Sequence, residues 1–228
     1  MKSGLTGLIV ICVLMWGLFT FVPSSIHAEE TSPSQGSNAS IAHGVQDSGP
    51  KYEIKQTVDK VVAQLRAIDS TPQWRDNVSA LVHEKFNFEV MSQGVLGPYW
   101  HRISAQERER FIELFAFLLE ETYVGRVKEY NDQEIRFGSE QIRQNRAMVD
   151  TYVAMESGDE IPISYKMLQH NGEWQVYDVV IEGVSLVRNY RSSYSSVLRK
   201  KDMAGLLDEM QTKIEELKQR LAEKEEKA

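Results

Sequence analysis

Apolar positions along this chain change period twice. Ile54, Val58, Val61, Val62, Leu65 and Ile68 recur at helical spacing, which predicts an amphipathic helix. Pro72 marks a break, and Trp74, Val78, Leu81, Val82 and Phe86 continue as a second such helix. The stretch FNFEVMSQGVLGPYWHRIS then reads as a region that turns through Gly94 and Gly97-Pro98. Ser104-Ala-Gln-Glu107 is a capping box, in which the serine hydroxyl and the glutamate carboxylate satisfy free amides at a helix start. The helix it opens is AQERERFIELFAFLLEETYVGRV. Its Phe111, Ile112, Leu114, Phe115, Phe117, Leu118, Leu119 and Tyr123 cover far more than one stripe. A helix apolar most of the way round is buried on more than one side, so a core on one side and a cavity on another both fit.

From about Gln133 the period is two. EIRFGSE reads as a first strand. RAMVDTYVAME is a second, with Met148, Tyr152 and Ala154 alternating against Val149, Thr151, Val153 and Met155. IPISYKMLQ alternates Ile161, Ile163, Tyr165 and Met167, with Pro162 near its start, where an edge tolerates it. Asn171-Gly172 is a strong hairpin signal, and WQVYDVVIE returns. About four antiparallel strands thus follow a helical first half, an α+β arrangement. After Gly183 the period is helical again through Val184, Val187, Tyr190, Arg191, Tyr194 and Leu198. In the tail, Met203, Leu207, Met210, Ile214, Leu217 and Leu221 step by four and three, a heptad seam. Such a seam suits a helix docked on the body or a coiled coil with a partner.

Composition adds the compartment. The chain has 228 residues, 42% hydrophobic and 26% charged. Residues 1–28 carry one early lysine, Lys2, an apolar core from about Leu8 to Val22, and Ile26-His27-Ala28 as a cleavage site, the pattern of a secretory signal peptide. Residues 29–50 are Ser/Gly/Pro-rich and too poor in large apolar side chains to offset ordering, a disordered leader. The folded domain is expected over 51–210, with a charged helical tail over 211–228. The only cysteine, Cys12, lies in the signal, so the mature chain has no thiol for a disulfide, a nucleophile or a metal. Removing residues 1–28 takes away Lys2 alone, so the net charge of −7 becomes −8. No basic cluster dominates the chain, which argues against nucleic acid. An acidic protein has no long-range attraction to anionic headgroups either; partner proteins or a local patch must bring it to membranes.

Candidate chemistry is sparse. HEKFN, His83 to Asn87, misses the second histidine of a zinc motif. His101 and His170 sit beside a helix cap and a turn. No phosphate-cradling glycine loop, nucleophile elbow or spaced metal cluster occurs, so neither a metal nor a cofactor is expected. Asp178 and Glu182 interrupt VYDVVIEGV. Four residues apart in a regular strand, they share a face at about 13 Å, too far for a glycosidase pair at about 5–9.5 Å. Trp174, Val176 and Val180 share that face, and Tyr177, Val179 and Ile181 take the other. The acids are expected to pair with Arg188 or Arg191 or to cap the following helix, with a catalytic Asp178 as the competing reading.

Two blocks carry a family resemblance. FNFEVMSQGVLGPYWHRISAQERERFIELFAFLLEETYVGRV and GEWQVYDVVIEGVSLVRNYRSSYSSVLRKKDMAGLLDEM resemble the MlaC family of toluene-tolerance auxiliary proteins. The likeness runs from about Lys51 to Met210, and the chain departs from it in the long polar leader and in the extended seam. The resemblance implies a monomeric periplasmic phospholipid carrier. Its cargo would pass between an outer-membrane lipoprotein–porin complex and the lipid-binding ring subunit of an inner-membrane ABC transporter. It also implies a curved antiparallel sheet wrapped by helices around an apolar cavity, near the NTF2-like cones.

A carrier of this kind answers a physical need. Moving a two-chain lipid with about 30 methylenes into water costs roughly 25 kcal/mol at about 0.8 per methylene. Sheltering the chains takes an apolar interior larger than the side chains fill, and no acid–base machinery. The candidate lining is Met91, Leu96, Tyr99, Trp100, Phe111, Leu114, Phe115, Leu118, Tyr123, Tyr152, Ile163, Tyr165, Tyr177, Val179 and Ile181, with Tyr190 and Tyr194 at the mouth. The competing functions are the Asp178 enzyme and a periplasmic adaptor or chaperone acting through the heptads.

Overall fold

The computed structural model describes residues 48–67, 73–127, 132–155 and 157–225. The expected signal peptide and nearly all of the expected leader lie outside the described residues, as do Ile68 and Pro72. Helix α1 spans Pro50–Arg66 and α2 Trp74–Lys85. Pro50, expected in the leader, is the first residue of α1, where its missing N–H is no loss.

Helix α3 spans Phe88–Leu96, followed by a 3-10 turn over Gly97–His101. The expected turn at Gly94 is therefore corrected. Gly94 lies inside α3, and a Cβ there would stand 2.7 Å from Val187 Cγ1. The glycine serves close helix packing, and the chain turns at Gly97, whose φ is +55°.

Helix α4 spans Ala105–Val127, as its periodicity predicts. The Ser104 N–H donates to Glu107 Oε2 at 2.8 Å and the Glu107 N–H to Ser104 Oγ at 3.2 Å, the reciprocal bonds of the capping box. The helix is enclosed as its all-round apolar surface requires. On one side Arg75 and Ser79 of α2 bond Glu121 and Glu120. On another, Lys218 lies over the Phe117 ring.

Strands β1 (Ile135–Arg143), β2 (Arg146–Ala154), β3 (Glu160–His170), β4 (Glu173–Ile181) and β5 (Val184–Ser185) form one antiparallel meander in chain order. β1 runs three residues beyond the expected EIRFGSE, and β5 adds a short fifth strand. Asn171-Gly172 makes the expected hairpin, both residues at positive φ. Helix α5 spans Leu186–Leu198 and α6 Met203–Glu225.

The register defines two faces. Val149, Tyr165 and Val179 form one row, and Thr151, Ile163 and Ile181 the next. Ala147, Met167 and Val176 extend this first face. Met148, Lys166 and Asp178 lie on the second face. Irregularities between Phe137 and Glu140 and opposite Lys166–Met167 break the ladder; such bulges bend strands and strengthen twist.

Two main apolar clusters result. One joins α3, α4, α5 and α6, with Met91, Leu96, Phe111, Phe115 and Leu206 almost fully buried. The other covers the first sheet face under Ile54 of α1. Helix α6 docks on the body through Met203, Leu206, Met210 and Ile214, all in the helical cluster. Leu206 is the buried position where the heptad places Leu207. The helix runs unbroken past residue 210, so the core extends beyond the expected domain end.

Candidate lipid site

Strand β4 does not alternate as its sequence suggests. Met167 pairs Val176 and Lys166 pairs Asp178, so Tyr177 is the extra residue of a bulge. Tyr177 and Asp178 consequently stand on the second face together, and Val179 and Ile181 move to the face of Trp174 and Val176. This overturns the grouping of Tyr177 with Val179 and Ile181. Arg146 lies over the Tyr177 ring, 5.0 Å from its centroid.

Asp178 is a structural acid. Its carboxylate accepts from Lys166 Nζ at 3.0 Å, Ser185 Oγ at 2.7 Å and the Val187 N–H at 3.1 Å. Of the expected roles it takes the helix cap, and Lys166 is its ion-pair partner in place of Arg188 or Arg191. Glu182 is not in the strand at all: it forms the β4–β5 turn with Gly183, at φ +49° and exposed. The zinc-like HEKFN also resolves. Asn87 Oδ1 accepts from the Val90 N–H at 2.9 Å and caps α3, while its amide donates to Gln175 at 2.7 Å. His83 contacts Glu120 Oε1 at 2.5 Å.

The first sheet face is sealed at one end and open at the other. Ala147, Val149, Met167, Trp174 and Val176 are buried beneath α1. Toward the far end Val153, Ile161, Ile163, Tyr165 and Ile181 keep accessible surface. Tyr165 is the telling residue. Burial raises the pKa of its phenol, opposed by a side-chain hydrogen bond with Thr151, yet the residue is only half-buried by area. The half-buried side chains at this end of the face mark the candidate recess. Val58, Phe86, Tyr123, Phe137, Ile163 and Ile181 adjoin it, each half-buried and packed on the sheet cluster. Phe86 and Tyr123 also pack on the helical cluster, so the recess sits where the two meet. Thr151 Oγ1 donates to the Ile163 carbonyl at 3.1 Å. The Thr151 hydroxyl in the floor is thus paired, as an apolar wall requires.

The sequence-derived candidates divide accordingly. Ile163, Tyr165, Ile181 and Tyr123 gather at the recess, and Val179 lies buried beneath it. Met91, Leu96, Trp100, Phe111, Leu114, Phe115 and Leu118 are buried in the helical cluster. Tyr190 and Tyr194, expected at a mouth, instead stand edge-on to Phe115 and Phe111 with centroids 5.3 and 5.9 Å apart. Burial pushes the Tyr194 phenol pKa up. Tyr152 faces away on the second sheet face, with Arg136 4.2 Å from its ring centroid. Tyr99 borders a separate cavity of about 320 Å³ with Arg102, Ile103, Glu107, Leu198, Asp202, Met203 and Ala204. Three charged side chains make that wall a poor home for an acyl chain. The sequence places Val58 and Phe86 on helices and Phe137 in a strand, but none of them in the lining. Phe86 carried a signal, an aromatic just past a helix end, but its bridge to Val176 did not.

Comparison with known proteins adds the following. The family model described as MlaC protein matches residues 55–212. The chain is 26% identical over 177 residues to the intermembrane phospholipid transport system binding protein MlaC of Haemophilus influenzae, covering 73% of this chain and 83% of that protein. It is 24% identical over 167 residues to the toluene tolerance protein ttg2D of Pseudomonas putida, covering 66% and 74%. Its fold matches the phospholipid-binding protein from Ralstonia solanacearum, solved in complex with a phospholipid. The TM-score is 0.65 at 21% identity, over 73% of this chain and 97% of that one.

Proposed function

The chain belongs to the MlaC family, and from that premise we propose that it is a phospholipid carrier whose acyl chains occupy the recess on the first sheet face. The observation that carries the reading is the half-buried group of Tyr165, Ile163, Ile181, Phe137 and Tyr123 packed on the sheet cluster. The relatives' names and the phospholipid held by the Ralstonia protein support the cargo. Acyl chains gain from such a wall because each methylene withdrawn from water contributes about 0.8 kcal/mol. The carrier acts in the periplasm, reached by cleavage of the signal peptide. It takes up and delivers lipid by exchange with an outer-membrane lipoprotein–porin complex and an inner-membrane ABC transporter. The intermembrane transport named for the Haemophilus relative supports this placement.

Native mass spectrometry of the protein purified from its exported form tests the cargo. A mass increment equal to one phospholipid is expected, exchangeable with vesicle lipid. Protein that carries no lipid and takes none from vesicles would overturn the reading.

A further inference from the structure

Between Glu182 and Asp202 the chain has no carboxylate and five cations, Arg188, Arg191, Arg199, Lys200 and Lys201, in a protein of net charge −7. Helix α5 sorts them. Val187, Tyr190, Tyr194 and Val197 turn into the helical cluster. Arg188 and Arg199 stand on the opposite face and Arg191 on its flank beside Gly94 and Gly97, all exposed, along about 16 Å of helix. Lys201 is paired with Glu209 at 2.6 Å, and Arg191 Nε donates to the Gly94 carbonyl at 2.5 Å. Among the described residues Arg188, Arg199 and Lys200 have no ion-pair partner. Of the flanking carboxylates, Glu107 accepts from Ser104 and Asp202 from the Gly205 N–H at 2.9 Å, while Glu182 is exposed at the start of the segment.

We propose that this stripe is the surface by which the protein docks on an anionic phospholipid bilayer. Ser192 and Ser195 lie between the arginines. A protein interface draws most of its affinity from a desolvated aromatic or apolar centre, which the stripe lacks. A bilayer presents repeated phosphates that guanidinium forks match in pairs. Val184, half-exposed at the amino-terminal end of the stripe, adds an aliphatic side chain at the headgroup boundary. The acidic remainder of the molecule is repelled by the same membrane, so the stripe also fixes orientation. The surface is separate from the recess and stands whether or not the cargo is a phospholipid.

Flotation of the mature protein with vesicles measures it. Phosphatidylcholine vesicles are compared with vesicles containing about 30 mol % phosphatidylglycerol. Binding at least tenfold tighter to the anionic vesicles is expected, abolished near 0.3 M salt, where screening falls to a few ångströms. The triple variant R188E/R199E/K200E should bind at least tenfold more weakly. K60E/R143E/R220E, with the same change in net charge on other exposed positions, should bind within about twofold of a wild type corrected for net charge. R188Q/R199Q/K200Q serves if the reversal variant fails to fold. Equal binding to both vesicles, equal losses in both triple variants, or a stripe that engages only an acidic protein overturns the proposal.

Discussion

The Asp178 carboxylate accepts the Val187 N–H at 3.1 Å, joining the last long strand to the first turn of α5. It does so because the bulge at Tyr177 turns Asp178 onto the second face, opposite Lys166. Asp178→Ala leaves Lys166, Ser185 and the Val187 N–H without their shared acceptor. The expected cost is about 2–3 kcal/mol, as for a buried charged hydrogen-bond partner, read as a lower urea midpoint. Asp178→Asn should keep lipid uptake in whatever fraction stays folded. A folded Asp178→Asn protein that still takes up lipid but has lost its function in cells would revive a catalytic role.

Gly94 and Val187 form a second join, between α3 and α5. Gly94→Ala brings a methyl to 2.7 Å from Val187 Cγ1, and a β-branched neighbour has little freedom to yield. Alanine favours a helix by about 1 kcal/mol over glycine, so a simple propensity effect would stabilise. A net loss of about 1 kcal/mol or more is expected from overpacking. Adding Val187→Ala should make the double variant less unstable than the sum of the singles. Additive losses in the cycle would show that the two sites are not coupled.

Much of this was legible beforehand. The α4 boundaries, the capping box and the Asn171-Gly172 hairpin are local, each written in a few adjacent residues. The misreadings share one cause. Alternation in VYDVVIE describes a strand alone, whereas the bulge exists in the pairing of that strand with Lys166 and Met167. Gly94 was read as punctuation because a glycine that admits a neighbour and a glycine that turns the chain look alike until Val187 is in place. Tyr152 on the second sheet face and Tyr190 and Tyr194 against Phe115 and Phe111 show the same limit. An apolar ring names its need for burial, not the face or cluster that provides it.

The heptad seam is committed to the body, so α6 contributes to stability. Ile214→Ala is expected to cost about 2–4 kcal/mol, as for truncation of a buried aliphatic. Truncation after Lys201 removes Met203, Leu206, Met210 and Ile214 from the core and should leave the body unfolded or poorly cooperative in thermal melts. A truncated body that melts like the full chain would return the seam to a partner.

Glu120, which receives Ser79 and His83 from α2, responds to pH. Burial raises its pKa above 4.5, with His83 acting in the opposite direction. A carboxyl held above its unfolded value contributes stability that is complete at low pH and lost as pH rises through its folded value. Glu120→Gln has no charge to bury. Its melting temperature relative to wild type should therefore climb as pH rises from about 4 toward 7. A constant or shrinking difference would contradict the burial of this group.

Acyl chains of the proposed cargo lie against the first sheet face, a placement that can be trapped covalently. Photo-crosslinking addresses it directly, with a photoreactive residue at Ile163 on that face and, separately, at Met148 on the other. Phospholipid should be captured from Ile163 and not from Met148. Capture from Met148 or Tyr177 with none from Ile163 would place the cargo elsewhere and contradict the account.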